Sequence, residues 1–441
     1  MIRFHDNVRR FLDDVCAEIR SREAHLPIRQ ELESHLESLA EERELSGCSR
    51  EEALAWAIAQ MGDPRLIGKD LHRIHRPKPE WGLITIILAF AAFGLMVIYA
   101  LDRSKSSNPG VYPDAMLFLM PKLAAVGLGL AIMVGLYFFS YRKLQSMNWI
   151  IYGILVAGLL LVSTFSGGSV NGSLRYLSLG SFNIDWMGIA PFLFVLTAAG
   201  CLPEWYAKRK RFVIHNLAFL TPVVGLLVLC KSTPNLVLLI VGYMAVLGSV
   251  TKRWKTTLAL GIGSLVGFSG IRLATRPWEM DRWHGYLSPE QDPHGSGYVY
   301  RKIAETIQSA GWLGQGVDSP LPQFPDIHSG LIFTYSLYSF GWLVGIGFAV
   351  GVLYMLSRLW HSFKQVRDPF GKHLVLGLAS IIAFQLVYNL LMAIGLFPYL
   401  DVPLPFVSYG LYHVLYEMAA AGIILGIYRR KDMGSSSFRA T

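Results

Sequence analysis

Several side chains able to do chemistry sit where the chain is otherwise apolar. His413 and Glu417 are four residues apart, so on a helix they share a face. Together they can form a proton or ligand site, or hydrogen-bond a neighbouring helix. Gln385 and Asn389 repeat that spacing; amides so placed act by default as glue between helices. Lys122 follows Pro121 in an apolar run. A lysine buried in lipid is costly and commonly functional, but near the outer end of a span its ammonium can snorkel to water. The longest polar stretch of the hydrophobic region runs from Arg276 to Gly330. Two further loop segments, around Asn171 and Val402, fall on the same side. We read the apolar elements as a frame that holds these three segments over a membrane-embedded groove.

Those elements dominate the composition. Of 441 residues, 53% are hydrophobic and 16% charged, where a soluble chain carries about a quarter charged. Together with apolar runs of the ~20-residue length that a bilayer needs, this makes an all-α, polytopic membrane protein the expected fold class. About ten spans are expected, centred near Leu88, Leu128, Val156, Val195, Val223, Val241, Gly263, Val344, Leu386 and Ile423.

The net charge of +9 belongs to this region, because residues 1–80 carry more acid than base. Basic residues gather at Arg142-Lys143, Lys208 to Arg211, Lys252 to Lys255, Arg358 to Lys372 and Arg429 to Lys431. By the positive-inside rule these connections are cytoplasmic, with both termini inside a bacterial plasma membrane. Nucleic-acid binding is the weaker reading of the charge, since no basic stripe with interleaved aromatics appears. Cys16, Cys48, Cys201 and Cys230 form no CxxC pair. They imply neither a disulfide framework nor a zinc site, and no metal or cofactor is expected. The first long apolar run begins only after Trp81, so no signal peptide is expected.

Residues 1–78 read as a small soluble helical domain. Ser49-Arg50-Glu51-Glu52 is a capping box ahead of Ala53, Trp56, Ala57 and Met61. Leu32, Leu36 and Leu39 mark one face of the preceding helix, and Asp63-Pro64 opens another. Three or four short helices follow from this, in a prefix domain for interaction or dimerisation. His75-Arg76-Pro77-Lys78-Pro79 is a basic hinge into the membrane domain, residues 82–430, and residues 431–441 form a cytoplasmic tail.

Three segments together resemble the SEDS family (shape, elongation, division and sporulation), the FtsW/RodA/SpoVE group. The run Arg282-Trp-His-Gly-Tyr-Leu-Ser-Pro-Glu-Gln-Asp-Pro-His-Gly-Ser-Gly-Tyr298 is similar to the family's R-x-x-x-F-L-x-P-x-x-D-P-x-G-x-G-Y loop, and Gly311-Trp-Leu-Gly-Gln-Gly316 to its G-W-x-G-x-G. Val402-Pro-Leu-Pro-Phe-Val-Ser-Tyr-Gly410 is nearly V-P-L-P-F-I-S-Y-G, and Asn171-Gly172 with Arg175-Tyr176 resembles N-G-x-R-R-W. The resemblance implies handling of lipid II, the undecaprenyl-linked disaccharide-peptide, beside a class B penicillin-binding protein or other divisome or elongasome membrane proteins. The chemistry implied is glycosyl transfer, in which a carboxylate takes the proton of the attacking hydroxyl and basic residues offset the pyrophosphate charge. Lys122, Arg175, Arg282, Asp292 and Ser408 are the substrate contacts it implies.

The chain departs from the family at one decisive position. The family writes P-E-x-H-T-D-F-I-F, its Asp being the base. This chain has Pro325-Asp326-Ile327-His328-Ser329-Gly330-Leu331-Ile332-Phe333, and glycine cannot take a proton. Asp326 shares a face with Gly330 if a helix starts this early, and His328 is a second substitute base. Asp292 and Asp401 are the acids elsewhere that could point into the space over Gly330. Other family charges are absent at Asp185-Trp-Met-Gly-Ile-Ala-Pro191 and Thr233-Pro234-Asn235. Losing charge while keeping Pro, Gly and aromatics fits a retained scaffold with weakened or absent polymerase chemistry, binding lipid II or a partner. The alternatives are an active glycosyltransferase using Asp326, His328 or Asp292, and a transporter of lipid-linked precursors.

Overall fold

The computed structural model describes residues 6–20, 22–74, 78–106, 117–165, 169–170, 173–179, 182–208, 211–275, 278–317, 319 and 327–431. Asp326, Asn171, Gly172, the hinge residues 75–77 and the tail from 432 onward lie outside them.

The chain forms two compact units. In the first, helices α1 (Asp6–Ala17), α2 (Arg22–Glu44), α3 (Arg50–Met61) and α4 (Pro64–Ile74) enclose a small core. Val8, Leu12 and Val15 of α1 meet Leu32 and Leu36 of α2, Ala53 and Ala57 of α3, and Leu71 of α4. Leu39, Trp56 and Met61 pack at its edge. The capping box forms as the sequence specifies: the Glu52 amide donates to Ser49 Oγ at 3.4 Å, and the Ser49 amide to the Glu52 carboxylate at 3.1 Å. The Arg65 amide donates to Asp63 Oδ1 at 2.9 Å, which starts α4.

The second unit carries the spans. Its elements in order are α5 (Trp81–Ser106), α6 (Leu119–Phe138), the short α7 (Tyr141–Ser146) and α8 (Asn148–Phe165). Two small antiparallel hairpins follow, β1 (Ser169–Val170) with β2 (Ser173–Leu174), and β3 (Tyr176–Leu179) with β4 (Phe182–Asp185). Then come α9 (Trp186–Ala207), α10 (Phe212–Leu229), α11 (Thr233–Thr251), α12 (Trp254–Thr275), α13 (Trp278–Leu287), α14 (Tyr298–Ser309), α15 (Ile332–Gln365), α16 (Pro369–Ala393) and α17 (Leu411–Arg429). The centre is α9, which packs on α8, α11 and α16. Small residues set that approach: a side chain at Gly242 or Gly377 would run into Val195 of α9.

Among the described residues nine helices are long and apolar enough to cross a bilayer: α5, α6, α8–α11 and α15–α17. The tenth expected span coincides with α12, 22 residues long. Its 22 residues are enough to cross a bilayer.

The long polar stretch holds two helices rather than an open loop. Between α13 and α14 the Asp292 carboxylate accepts from the amides of Gly295 (3.0 Å) and Ser296 (2.7 Å) and from Ser296 Oγ (3.1 Å). After α14, the Gly311–Gly316 segment lies against a break in α15 at Gly341, whose φ is 82°. The break frees backbone groups that lipid cannot satisfy, and the segment satisfies them. The amides of Gln315 and Gly316 donate to the carbonyls of Tyr338 (2.8 Å) and Ser339 (3.1 Å). In return, the amides of Trp342 and Leu343 donate to the carbonyls of Gly311 (3.1 Å) and Trp312 (3.2 Å). A Cβ at Gly314 would strike the Ser339 carbonyl and one at Gly341 the Trp312 carbonyl, which explains glycine at both.

Candidate functional site

Three connections meet at one end of the spans: the β3–β4 hairpin, the turn 327–330 before α15, and residues 394–410 between α16 and α17. Residues 394–410 are locked by the polar groups that stood out in the sequence. Gly395, with φ 76°, ends α16 by donating its amide to the Met392 carbonyl at 3.0 Å. Asn389 Nδ2 donates to the Val402 carbonyl at 2.9 Å, and Tyr388 to the Pro398 carbonyl at 2.8 Å. The Phe406 amide donates to Glu417 Oε2 at 2.8 Å. Lys122 Nζ donates to the carbonyls of Phe406 (3.1 Å) and Ser408 (2.6 Å).

Of the two readings of Lys122, this excludes snorkelling. It is 1% exposed and does not snorkel, because the strained turn at Phe406 (φ 66°) offers carbonyls inside the fold. Glu417 accepts from the amide of that turn at 2.8 Å, so the two side chains hold both its carbonyls and its amide. Ser408 is also structural: its Oγ accepts from the Leu404 amide at 2.7 Å and donates to the Ser329 carbonyl at 2.9 Å. With the Tyr409 amide on the His328 carbonyl at 2.9 Å, residues 394–410 are stitched to the turn containing Gly330.

Gly330 is where the stitched segments converge. The helix begins at Ile332 and residues 327–330 form a turn. The condition for placing Asp326 on the face of Gly330 is therefore not met, and Asp326 itself lies outside the described residues. His328 stacks on Phe118 (ring centroids 5.2 Å apart) and meets the edge of Tyr409 at 5.5 Å, which makes it part of an aromatic wall. Asp292 is engaged in its own turn between α13 and α14. There the Ser296 backbone and side chain, and then the Gly295 amide, hold its carboxyl below the usual range. Arg282 is exposed on α13.

Asp401 is the acid that reaches the space. A Cβ built on Gly330 would lie 3.3 Å from Asp401 Oδ1, and 3.2 Å and 3.3 Å from Cε2 and the hydroxyl of Tyr399. Ser329 Oγ donates to Asp401 Oδ1 at 3.4 Å. The Asp401 side chain keeps 23% of its surface exposed, enough for a reactant to reach it.

Arg175 joins Asp401 to two more groups. Its Nε donates to Asp185 Oδ2 at 2.9 Å, its Nη1 to Asp401 Oδ2 at 3.3 Å, and its Nη2 to His413 Nε2. Guanidinium nitrogens only donate, so His413 Nε2 is the acceptor and its imidazole is neutral in this arrangement. Burial opposes the Arg175 charge, and the carboxylates of Asp185 and Asp401 more than offset it, holding the guanidinium above its usual range. Asp185 is the N-cap of α9, accepting from the Gly188 amide at 2.9 Å, and its carbonyl accepts from the Tyr416 hydroxyl. Sequence reading singled out Arg175, His413 and Asp401 separately. It missed Asp185, which enters the sequence only as a departure from a family motif, and Tyr399; a β-hairpin ending on an acid before a helix was the available signal for Asp185.

The arrangement offers a carboxylate that is 23% exposed, a forked cation beside it, and a rigid backbone beneath. That is equipment for accepting a proton next to an anion.

Comparison with known proteins agrees with the fold. Residues 80–433 match the family profile FTSW_RODA_SPOVE, described as cell cycle protein. The chain is 30% identical over 369 residues to a protein named probable peptidoglycan glycosyltransferase FtsW from Thioalkalivibrio sulfidiphilus, covering 79% of this chain and 89% of that one. It is 25% identical over 368 residues to stage V sporulation protein E of Bacillus subtilis, covering 80% and 98%. Among solved structures, one chain of a peptidoglycan synthase complex superposes with a TM-score of 0.66 at 23% identity, over 80% of this chain and 98% of that one. Thermus thermophilus rod shape determining protein RodA does so with 0.59 at 22%, over 80% and 97%. These two likenesses are of fold.

Proposed function

Because the chain belongs to the FtsW/RodA/SpoVE family of cell cycle proteins over residues 80–433, we propose that it polymerises lipid II at the outer face of a bacterial plasma membrane, with Asp401 as the proton acceptor. The observation that carries this reading is the Asp401 carboxylate at the side-chain space of Gly330. The expectation of weakened or absent chemistry rested on the empty position 330, and an acid from the neighbouring connection serves the same space.

The chemistry follows from the geometry. An acceptor hydroxyl over Gly330 gives its proton to Asp401 Oδ1, the oxygen that faces the side-chain space of Gly330. The hydroxyl oxygen forms a bond to the anomeric carbon of the donor sugar. The bond from that carbon to the pyrophosphate oxygen breaks, and its electron pair leaves with the lipid pyrophosphate. Arg175 stands beside this position to balance the leaving charge. The clamps from Lys122, Glu417 and Asn389 keep Asp401 in place, since a 1 Å displacement costs about 10²-fold in rate. Basic connections at Arg142-Lys143 and Lys252 to Lys255 support an orientation with the site outside and both termini in the cytoplasm. The relative named FtsW and the fold of a synthase-complex chain support a class B penicillin-binding protein as partner.

The test is strand synthesis by purified protein from fluorescent lipid II, alone and with a class B penicillin-binding protein, read as a glycan ladder on a gel. Wild type makes strands, and Asp401→Ala and Asp401→Asn lose about 10²-fold or more in rate. Strands made at the wild-type rate by Asp401→Ala, or none from wild type under either condition, would remove the assignment.

A further inference from the structure

We propose that Arg175 is a charge latch on Asp401, released when the diphosphate of a lipid-linked substrate takes over its Nη1 arm; this rests on Asp401 being the proton acceptor. The three arms of the guanidinium differ in kind. Asp185, 2% exposed as a side chain, is fixed as the N-cap of α9, and His413 sits in the first turn of α17. Both are on helix ends and hold the guanidinium from behind. Asp401 is on a connection, is the most exposed of the three acceptors, and is reached at 3.3 Å, against 2.9 Å for Asp185. Nη1 is thus the arm that can change partner while the other two keep the group in place.

The exchange matters because a carboxylate bonded to a guanidinium is a poor proton acceptor. At rest the latch keeps Asp401 charged and inactive. A diphosphate that engages Nη1 takes that hydrogen bond from Asp401, offsets the guanidinium charge and brings negative charge close to the carboxylate. These changes raise its affinity for a proton at the moment the leaving group is in place. The groups around Asp401 are Arg175 and Tyr176 from the hairpin, Ser329 and Tyr399 beside Gly330, and, across the guanidinium, Asp185, His413 and Tyr416. Asp185 and His413 are accordingly positioning residues for Arg175.

Two measurements test the latch in the intact protein. The acid limb of kcat/KM reports the free enzyme and that of kcat the substrate complex. In wild type the kcat limb lies higher by about one pH unit or more, and in Arg175→Gln the separation shrinks to what the substrate's own charge produces. Coincident limbs in wild type, or a separation undiminished in Arg175→Gln, overturn the latch while leaving Asp401 as base. The second readout needs no turnover. Infrared difference spectra on adding undecaprenyl diphosphate at mildly acidic pH gain a protonated-carboxyl band that is missing from Asp401→Asn. A wild-type spectrum without that band overturns the latch whatever the polymerase assay gives.

Discussion

At the scale of single residues, Gly330 and Asp401 are one feature. A Cβ at 330 would stand 3.3 Å from Asp401 Oδ1 and 3.2 Å from the ring of Tyr399, so an aspartate there would press a second carboxylate against the first. Two like charges in one space cannot both stay ionised at low cost. Gly330→Asp alone should therefore cost about tenfold or more in strand synthesis. Gly330→Asp combined with Asp401→Ala should work better than either single variant, because the acid is restored and the crowding relieved. A double-mutant cycle on the lipid II assay reads this as a coupling of about 1 kcal/mol or more. Strictly additive effects would mean that the two positions do not share a function.

At the scale of elements, the Gly311–Gly316 segment shows how a loop motif can belong to a helix. Its glycines let the backbone close on the break in α15: Gly311, Gly314 and Gly316 all take positive φ, and Gly314 also lies against the Ser339 carbonyl. Gly314 and Gly341 both have positive φ, and a Cβ on either meets backbone. Gly314→Ala and Gly341→Ala should each lose about 1–3 kcal/mol, seen as a lower thermal midpoint in detergent. Trp312→Ala should lose much less, since its side chain is exposed and its contribution to the break is its carbonyl. Equal losses for all three would place the stabilisation in the Trp312 side chain instead. The same contrast shows what could be read before the structure. Helix starts at Ser49 and Asp63 and the long apolar spans are local signals, and each was legible. The Glu417 grip on Phe406 and the Arg175 reach to Asp401 join positions far apart in the chain, and no local pattern encodes them. Lys122 shows the same limit: its place in the span allows a functional buried ammonium or one that snorkels, and its partners come from a turn 284 and 286 residues further on.

At the scale of the whole membrane unit, the site constrains the topology. Arg175 follows α8 and Asp401 follows α16, yet the two are in contact, so the chain must cross an even number of times between them. The helices α9, α10, α11, α15 and α16 are each apolar enough to cross, which makes five, and α12 must supply the sixth. Its 22 residues are long enough, and Lys255 lies near its first turn, where a long side chain snorkels. The proposed orientation agrees, since it puts Lys252 and Arg253 before α12 inside and Arg282 after it outside. With Cys16, Cys48, Cys201 and Cys230 replaced by Ala, a single cysteine at Arg282→Cys should react with a membrane-impermeant maleimide on intact cells. One at Arg253→Cys should react only after permeabilisation. If both label from the same side, α12 does not cross, the hairpin and residues 394–410 face opposite compartments, and Arg175 cannot hold Asp401.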